Sequence, residues 1–211
     1  MLTVVIAEAE LELVPEEAWN ERCVMESARK RGKNPSDILL DSSYHHGASV
    51  CQNSRRGRPD IVHITLQLLQ ESLLNISGKM RIFVHTRDDH LITINPETRL
   101  PKNYGRFCGL IEKLFREGNI KSGENELLKI DKVRIDEFLS RMEGEKILLH
   151  PGGAPLSEKI PVDDMIVIIG GFPQGDFMGS YEGTERFRVA DVELTAWAAA
   201  MEAFCWYKTV K

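Results

Sequence analysis

The chain has 211 residues, a formal net charge of −5, 42% hydrophobic residues and 28% charged ones. It is long enough to bury one generous core and too evenly mixed to be disordered along its whole length. The acidic balance excludes nucleic-acid binding through bulk positive charge, so any phosphate contact must come from a local patch.

The opening Leu2 to Ala7 is β-branched and apolar and predicts a buried strand, followed by a helix over about 15–31 with Pro15 at its first position. Acidic residues gather here: Glu8, Glu10, Glu12, Glu16 and Glu17. A polar stretch follows over 41–57 and ends in a basic run, Arg55, Arg56 and Arg58. Pro59 and Asp60 then mark a helix start, with Ile61, Ile64, Leu68 and Leu69 at helical spacing. Met80 to His85 and Leu91 to Asn95, separated by Arg87-Asp88-Asp89, predict a hairpin. A loop with two prolines, residues 95–101, leads to a helix over about 104–116 that sets Phe107, Leu110, Ile111 and Leu114 on one face and leaves Arg106 and Lys113 on the other. The last third reads as strand (146–150), loop (151–153), strand (165–169), glycine loop (170–175) and an Ala-rich helix (191–206), an alternation that implies a largely parallel sheet covered by helices.

The run Ile166-Val167-Ile168-Ile169-Gly170-Gly171-Phe172-Pro173-Gln174-Gly175 sends an apolar strand into a glycine-rich turn. In open α/β sheets, ligands sit at such carboxyl ends, where glycine lets backbone amides approach closely. A tight turn with positive φ at Gly170 or Gly171 explains the same residues without a ligand. Neither a dinucleotide-binding G-x-G-x-x-G near the first strand nor a phosphate-binding G-x-x-x-x-G-K-[ST] loop is present. No nucleophile elbow appears either. The cysteines Cys23, Cys51, Cys108 and Cys205 form no C-x-x-C pair, and the six histidines lack zinc spacing, so no metal is expected. No apolar stretch approaches membrane-spanning length, which points to a cytoplasmic protein with no membrane partner. Arg99, Lys102 and Arg106, interleaved with Tyr104 and Phe107, combine phosphate-binding charge with surfaces that could stack on unpaired bases, or form a solvated face.

Three segments taken together, Arg58-Pro59-Asp60-Ile61-Val62-His63, Asn95-Pro96-Glu97-Thr98-Arg99-Leu100-Pro101 and Arg106-Phe107-Cys108-Gly109-Leu110, resemble the signature segments of the ribosome-biogenesis pseudouridine N1-methyltransferases of the SPOUT superfamily. The compact form is similar to archaeal members. The resemblance spans most of the chain and implies an α/β fold: a SPOUT-type sheet with a C-terminal trefoil knot and a family-specific hairpin/helix insertion. It implies a single domain over 1–211, with 75–105 as the insertion and 146–211 as the knotted, cofactor-binding part.

The cofactor implied by the resemblance is S-adenosylmethionine, held by Gly170 and Gly175 of the glycine loop, by Val189, Ala190, Asp191, Val192, Glu193 and Leu194 of the final segment, and by Leu149 and His150 of the first knot loop. Arg58, Arg99 and Arg106 match RNA-contacting arginines. Lys102 stands where some relatives carry arginine, which keeps the charge but loses bidentate geometry. The implied assembly is a homodimer with active sites at its interface, acting on small-subunit ribosomal RNA, with ribosomal proteins of the small subunit as further partners. The implied reaction methylates N1 of a pseudouridine flipped from its loop. The N1 proton must leave, and Asp60, beside Arg58, is the candidate base or ring-orienting carboxylate; a purely structural pairing with Arg58 is the competing role. Two other readings remain: a non-catalytic RNA-binding assembly factor of the small subunit, and a knotted methyltransferase acting on transfer RNA or a ribose hydroxyl.

Overall fold

Strand β1 (Leu2–Ala9) is buried along its entire length. A strand with no polar face needs cover on both sides. Its even residues Leu2, Val4 and Ile6 enter one apolar cluster and its odd residues Val5 and Ala7 another, as the two-residue period of a strand requires. A computed structural model describes residues 1–52 and 55–209; Asn53 and Ser54 of the polar stretch, and the last two positions of the expected 146–211 part, lie outside the described residues.

Beside β1 lie β2 (Met80–Thr86), β3 (His90–Ile94), β4 (Asn119–Ser122), β5 (Asn125–Lys132), β6 (Glu145–Pro155), β7 (Met165–Gly170) and β8 (Glu185–Arg188). The described residues build one eight-stranded sheet in the order β4-β5-β3-β2-β1-β7-β6-β8. The β2-β1-β7-β6-β8 portion, which holds the strands of the last third, is parallel as their alternation implied, and the β4-β5-β3-β2 portion is antiparallel, so the sheet as a whole is mixed. The expected hairpin forms, with Ile82 opposite Ile94 and His85 opposite Leu91. Its first strand is also a neighbour of β1, which ties it into the centre of the sheet.

The helices are α1 (Arg22–Arg31), α2 (Ser42–His45), α3 (Pro59–Gln70), α4 (Leu73–Ile76), α5 (Tyr104–Glu117), α6 (Ile135–Ser140) and α7 (Ala196–Thr209). Helices α3, α5 and α7 contribute Leu66, Phe107, Ile111 and Ala200 to the larger cluster, while α6 contributes Ile135 and Leu139 to the smaller one. A third cluster, with Val24, Ala28, Ile38 and Leu40, lies beneath α1.

Several expectations are corrected. The helix expected over 15–31 is a short 3-10 turn (Glu16–Ala18) and then α1, which starts only at Arg22. Helix α3 buries Ile61, Val62, Thr65, Leu66 and Leu69, whereas Ile64 faces outward. The 151–153 loop lies within β6, where the pairing with β8 shifts register between Leu149 and Ala154. The terminal helix begins at Ala196, so 191–195 is open chain. Gly170 and Gly171 have no positive φ; a Cβ on Gly171 would stand 2.7 Å from Ala9 Cα, so close backbone approach is what demands glycine there. Positive φ occurs at Gly175 instead.

Burial holds the rings of His45, His85 and His90 below the ordinary histidine pKa, so they stay neutral in the fold. The unfolded chain then binds more protons near pH 6.5 than the folded one, and stability rises with pH through that window. Burial holds Glu10 above the ordinary carboxyl value, which has the opposite sign. Urea unfolding should therefore show stability falling from pH 7.5 to 5.5, with a shallower fall in His85→Asn; an unchanged slope in that variant would contradict the assignment.

Candidate functional site

At the carboxyl ends of β7 and β8, against the middle of β6 where its register shifts, lies a cleft of about 380 Å³. Its walls come from three chain segments: Leu149 to Pro151, the turn after β7 from Ile169 to Phe177, and the segment after β8 that includes Arg188, Val189, Ala190, Val192, Glu193 and Leu194. Ala196 and Ala199 of α7 close one side. Of the residues expected to hold a cofactor, Leu149, His150, Gly170, Gly175, Val189, Ala190, Val192, Glu193 and Leu194 meet in this one place. Asp191 is not on the wall; its carboxylate accepts from Arg188 Nε at 2.9 Å. Arg188 Nη1 also donates to the Gly153 carbonyl at 2.8 Å, which fastens the third segment to β6.

The turn after β7 is held from beneath by a strained residue. Glu8 adopts φ +50°, rare for a side chain with a Cβ, at the point where the β1–β2 register slips between Ile6 and Ala9. A bulge of this kind re-aims a side chain. The Glu8 carboxylate accepts from the backbone N–H groups of Met178 and Gly179 (2.9 and 2.8 Å), from the Tyr181 hydroxyl (3.0 Å) and from Arg55 Nη2 (2.6 Å). Arg55 continues the network: Nε donates to Glu10 at 2.7 Å, Nη1 to the Asp176 carbonyl at 2.5 Å, and its guanidinium lies 3.9 Å from the Phe172 ring centroid. Phe172, Phe177 and Tyr181 follow one another in edge-to-face contact at 5.1 and 4.9 Å. Burial, reinforced by Glu8, pushes the Tyr181 phenol far above its ordinary pKa, so it remains a donor. Beside the cleft, His150 Nε2 lies 3.0 Å from Asp176 Oδ1. The Phe177 backbone N–H, with His150 adding to it, holds Asp176 below the ordinary carboxyl range.

The basic run therefore divides. Arg55 is bound to Glu8 and Glu10, and Arg56 forms a bidentate pair with Glu12 at 2.9 and 2.6 Å, so neither is a free phosphate ligand. Arg58 and Asp60 are joined at the start of α3 by two bonds of 2.8 Å, Nε to Oδ1 and Nη2 to Oδ2. This is the expected pairing, and the pair does not line the cleft of its own chain. Lys102 is tied to Glu71 at 2.7 Å in an exposed pair, whereas Arg99 and Arg106 are exposed with no carboxylate partner among the described residues.

The arginine-bearing loop is itself rigid. The Pro101 carbonyl lies 3.1 Å from His63 Nε2 and accepts from Gln67 Nε2 at 3.1 Å, while Thr98 Oγ1 donates to the Leu127 carbonyl at 2.7 Å. His63 lies 4.6 Å from the Phe107 ring, which couples α3 to α5. Reading the sequence missed Glu8, Arg55, Phe172, Phe177 and Arg188 as builders of the site. The signal for the glutamates was their alternation at 8, 10 and 12, at and just beyond the end of β1, together with a basic run whose Arg55 and Arg56 meet them; Arg188 was hidden because β8 was not foreseen.

Among the described residues no cluster of histidine, cysteine and carboxylate groups is arranged to hold a metal ion, and no helix is long and apolar enough to cross a membrane. The chain matches the family described as EMG1/NEP1 methyltransferase over residues 4–208. It is 44% identical to the ribosomal RNA small subunit methyltransferase Nep1 of Thermococcus kodakarensis, over 96% of this chain and 95% of that one. It is 41% identical to the Nep1 of Pyrobaculum calidifontis, again over 96% and 95%. The crystal structure of Archaeoglobus fulgidus Nep1 bound to S-adenosylhomocysteine superposes with a TM-score of 0.87 at 34% identity, covering 99% of this chain and 97% of that one.

Removing one partner of a buried ion pair leaves the other uncompensated and costs about 3–5 kcal/mol. Glu8→Gln should therefore lower unfolding stability by about 3 kcal/mol and expose residues 171–184 to proteolysis before the rest of the chain. A loss under about 1 kcal/mol with an unchanged cleavage pattern would show that Glu8 does not hold the turn.

Proposed function

The chain belongs to the EMG1/NEP1 methyltransferase family, and from that premise we propose that it transfers a methyl group from S-adenosylmethionine to N1 of a pseudouridine in small-subunit ribosomal RNA during ribosome biogenesis. The observation that carries the reading is the three-walled cleft, which a module that only binds RNA has no need to build.

The cleft residues fit the cofactor. Leu149, Val189, Leu194 and the Phe177 ring give apolar walls suited to a purine, and Glu193 and Asp176 supply carboxylates for a cationic portion. Gly175 takes the positive φ that turns the chain along the cleft, and at Gly170 the Phe172 ring occupies the space a side chain would need. When bound, the cofactor's sulfonium supplies an electrophilic methyl group. The protein's own task is to hold the base and accept its proton. As N1 gains the methyl group, its proton passes to the Asp60 carboxylate, which has accepted only two hydrogen bonds and keeps lone pairs for a third. Arg58 uses Nε and Nη2 on Asp60, leaving other guanidinium donors for the substrate backbone. Arg99 and Arg106 with Lys102 hold the strand by its phosphates, which suits a substrate recognised as a splayed loop.

Because the Arg58–Asp60 pair lies outside its own chain's cleft, the complete site in this proposal is shared across a homodimer. Ile64, Val192 and Met201 are 41%, 67% and 45% exposed, an apolar surface on and next to the packed helices α3 and α7 that a second copy would cover. The C-terminal knot belongs to the same proposal: β8 adds outside β6, yet the chain returns as α7 to pack on β7 and α3, the kind of path a threaded loop requires. Ribosomal proteins of the small subunit remain proposed further partners.

The test is methyl transfer from labelled S-adenosylmethionine to two small-subunit hairpins that differ only in uridine or pseudouridine at the target. Label on the pseudouridine hairpin alone is expected, together with a dimeric mass in sedimentation. Label on both, or on neither while binding is retained, would refute the N1 assignment. Asp60→Asn should lower turnover at least about a hundredfold with folding intact, the scale of general-base catalysis; normal turnover would remove Asp60 as the base.

A further inference from the structure

A second cavity, of about 490 Å³, shares no lining residue with the first. It lies between α1, α2 and the start of α5, and it is walled by Leu39, Cys23 and Cys108 with the rings of Tyr44 and Tyr104. Burial pushes the Cys108 thiol up to about 11, so that group stays uncharged. Tyr104 is held rigidly, its hydroxyl donating to Asp41 Oδ2 at 2.5 Å, whereas Tyr44 stands 62% exposed at the rim.

His45, only 1% exposed, is the polar group in this wall without a full set of partners. The Asp41 backbone N–H donates to its Nδ1 at 3.1 Å, so Nδ1 carries no proton. Burial keeps the ring neutral, which places the proton on Nε2. That Nε2–H has no acceptor among the described residues. A buried donor left unmatched is costly, and a site that presents one selects a ligand carrying an oxygen acceptor.

The surroundings narrow the ligand. Lys30 and Arg31 of α1 line the cavity, Arg31 being paired with Glu112, and exposed Arg106 directly follows Gly105 of the wall; Glu26 and Asp41 are the acidic groups among them, the Asp41 carboxylate accepting from Tyr104. Aromatic faces, one unmatched N–H donor on a lining residue and the exposed Lys30 match an unpaired nucleobase with a keto oxygen, attached to a phosphodiester strand. We propose that this cavity holds a second unpaired base of the bound RNA, outside the methylated nucleotide, stacked on Tyr44 with its keto oxygen accepting from His45 Nε2–H. The proposal rests on the RNA-substrate reading given above and adds a residue-level source of sequence preference to it. The same base chemistry could arrive as a free nucleotide, which the experiment separates.

The experiment measures affinity of the full-length protein for the pseudouridine hairpin with an abasic residue placed at each unpaired position in turn, for wild type and Tyr44→Ala. At one position other than the target, the abasic change should weaken wild-type binding about tenfold, Tyr44→Ala should weaken the intact hairpin by a similar factor, and the two together should weaken it no further. In ¹⁵N-histidine-labelled protein the His45 Nε2–H resonance should shift with the intact hairpin and not with that abasic one. Additive losses at every position, with methylation intact, would overturn the base pocket and leave the methyltransferase reading standing. Coupling at one position without methyl transfer would support the pocket and remove the methyltransferase reading alone. A His45 shift saturated by uridine monophosphate, with no coupling to any hairpin position, would assign the cavity to a free nucleotide and overturn the strand-bound base.

Discussion

The Arg55 guanidinium, lodged between Glu8 and Glu10 with Phe172 over its face, is the contact on which the cleft depends. Taking such charges out of water costs several kcal/mol per ion, and that cost is recovered only when every donor and acceptor is matched. Here they are matched by groups from far apart in sequence: the end of β1, the basic run before α3, and the turn after β7. The same bonds that satisfy Glu8 therefore fix the glycine turn relative to the sheet. The strained φ of Glu8 is tolerated because four donors converge on its carboxylate.

This network also explains how an acidic protein presents cations selectively. Arg55, Arg56 and Arg87 are consumed by Glu8, Glu10 and Glu12, and Arg31 with Lys33 by the buried Glu112 of α5. Their charge is spent on holding the fold. Arg99 and Arg106 are presented on a loop and helix start that Pro101, Thr98 and Asn103 tie down, so they reach solvent from a rigid base. Rigid presentation lowers the entropy lost when a phosphate is bound. Net charge is thus a poor guide to the surface, since the paired ions cancel and the unpaired ones remain.

The division of labour extends to the cavities. The first is lined by three loop and strand segments with two alanines of α7, while the second is lined by side chains packed between helices. Helix α5 ties the second cavity to the main core, because its N-terminal turn carries Tyr104 and Gly105 of that wall while its buried face anchors Phe107 and Ile111.

The sequence by itself determined β1, the β2–β3 hairpin, α3 with Pro59 at its start, α5, and the strand–glycine turn at β7. Each is carried by local periodicity or backbone chemistry that survives without knowledge of neighbours. Glycine punctuation brought the turn after β7 into view, while the other two walls of the cleft, at Leu149 and His150 and at Val189 to Leu194, came from the family resemblance. The tertiary structure alone decided what the charges do. Whether Arg55 meets a phosphate or Glu8 depends on a contact 47 residues away in the chain, and no local pattern encodes that distance. The short β4, β8 and α6, and the burial of Glu112 and His45, were likewise decided by packing, because such short elements and single polar residues take their state from what surrounds them rather than from their own propensity.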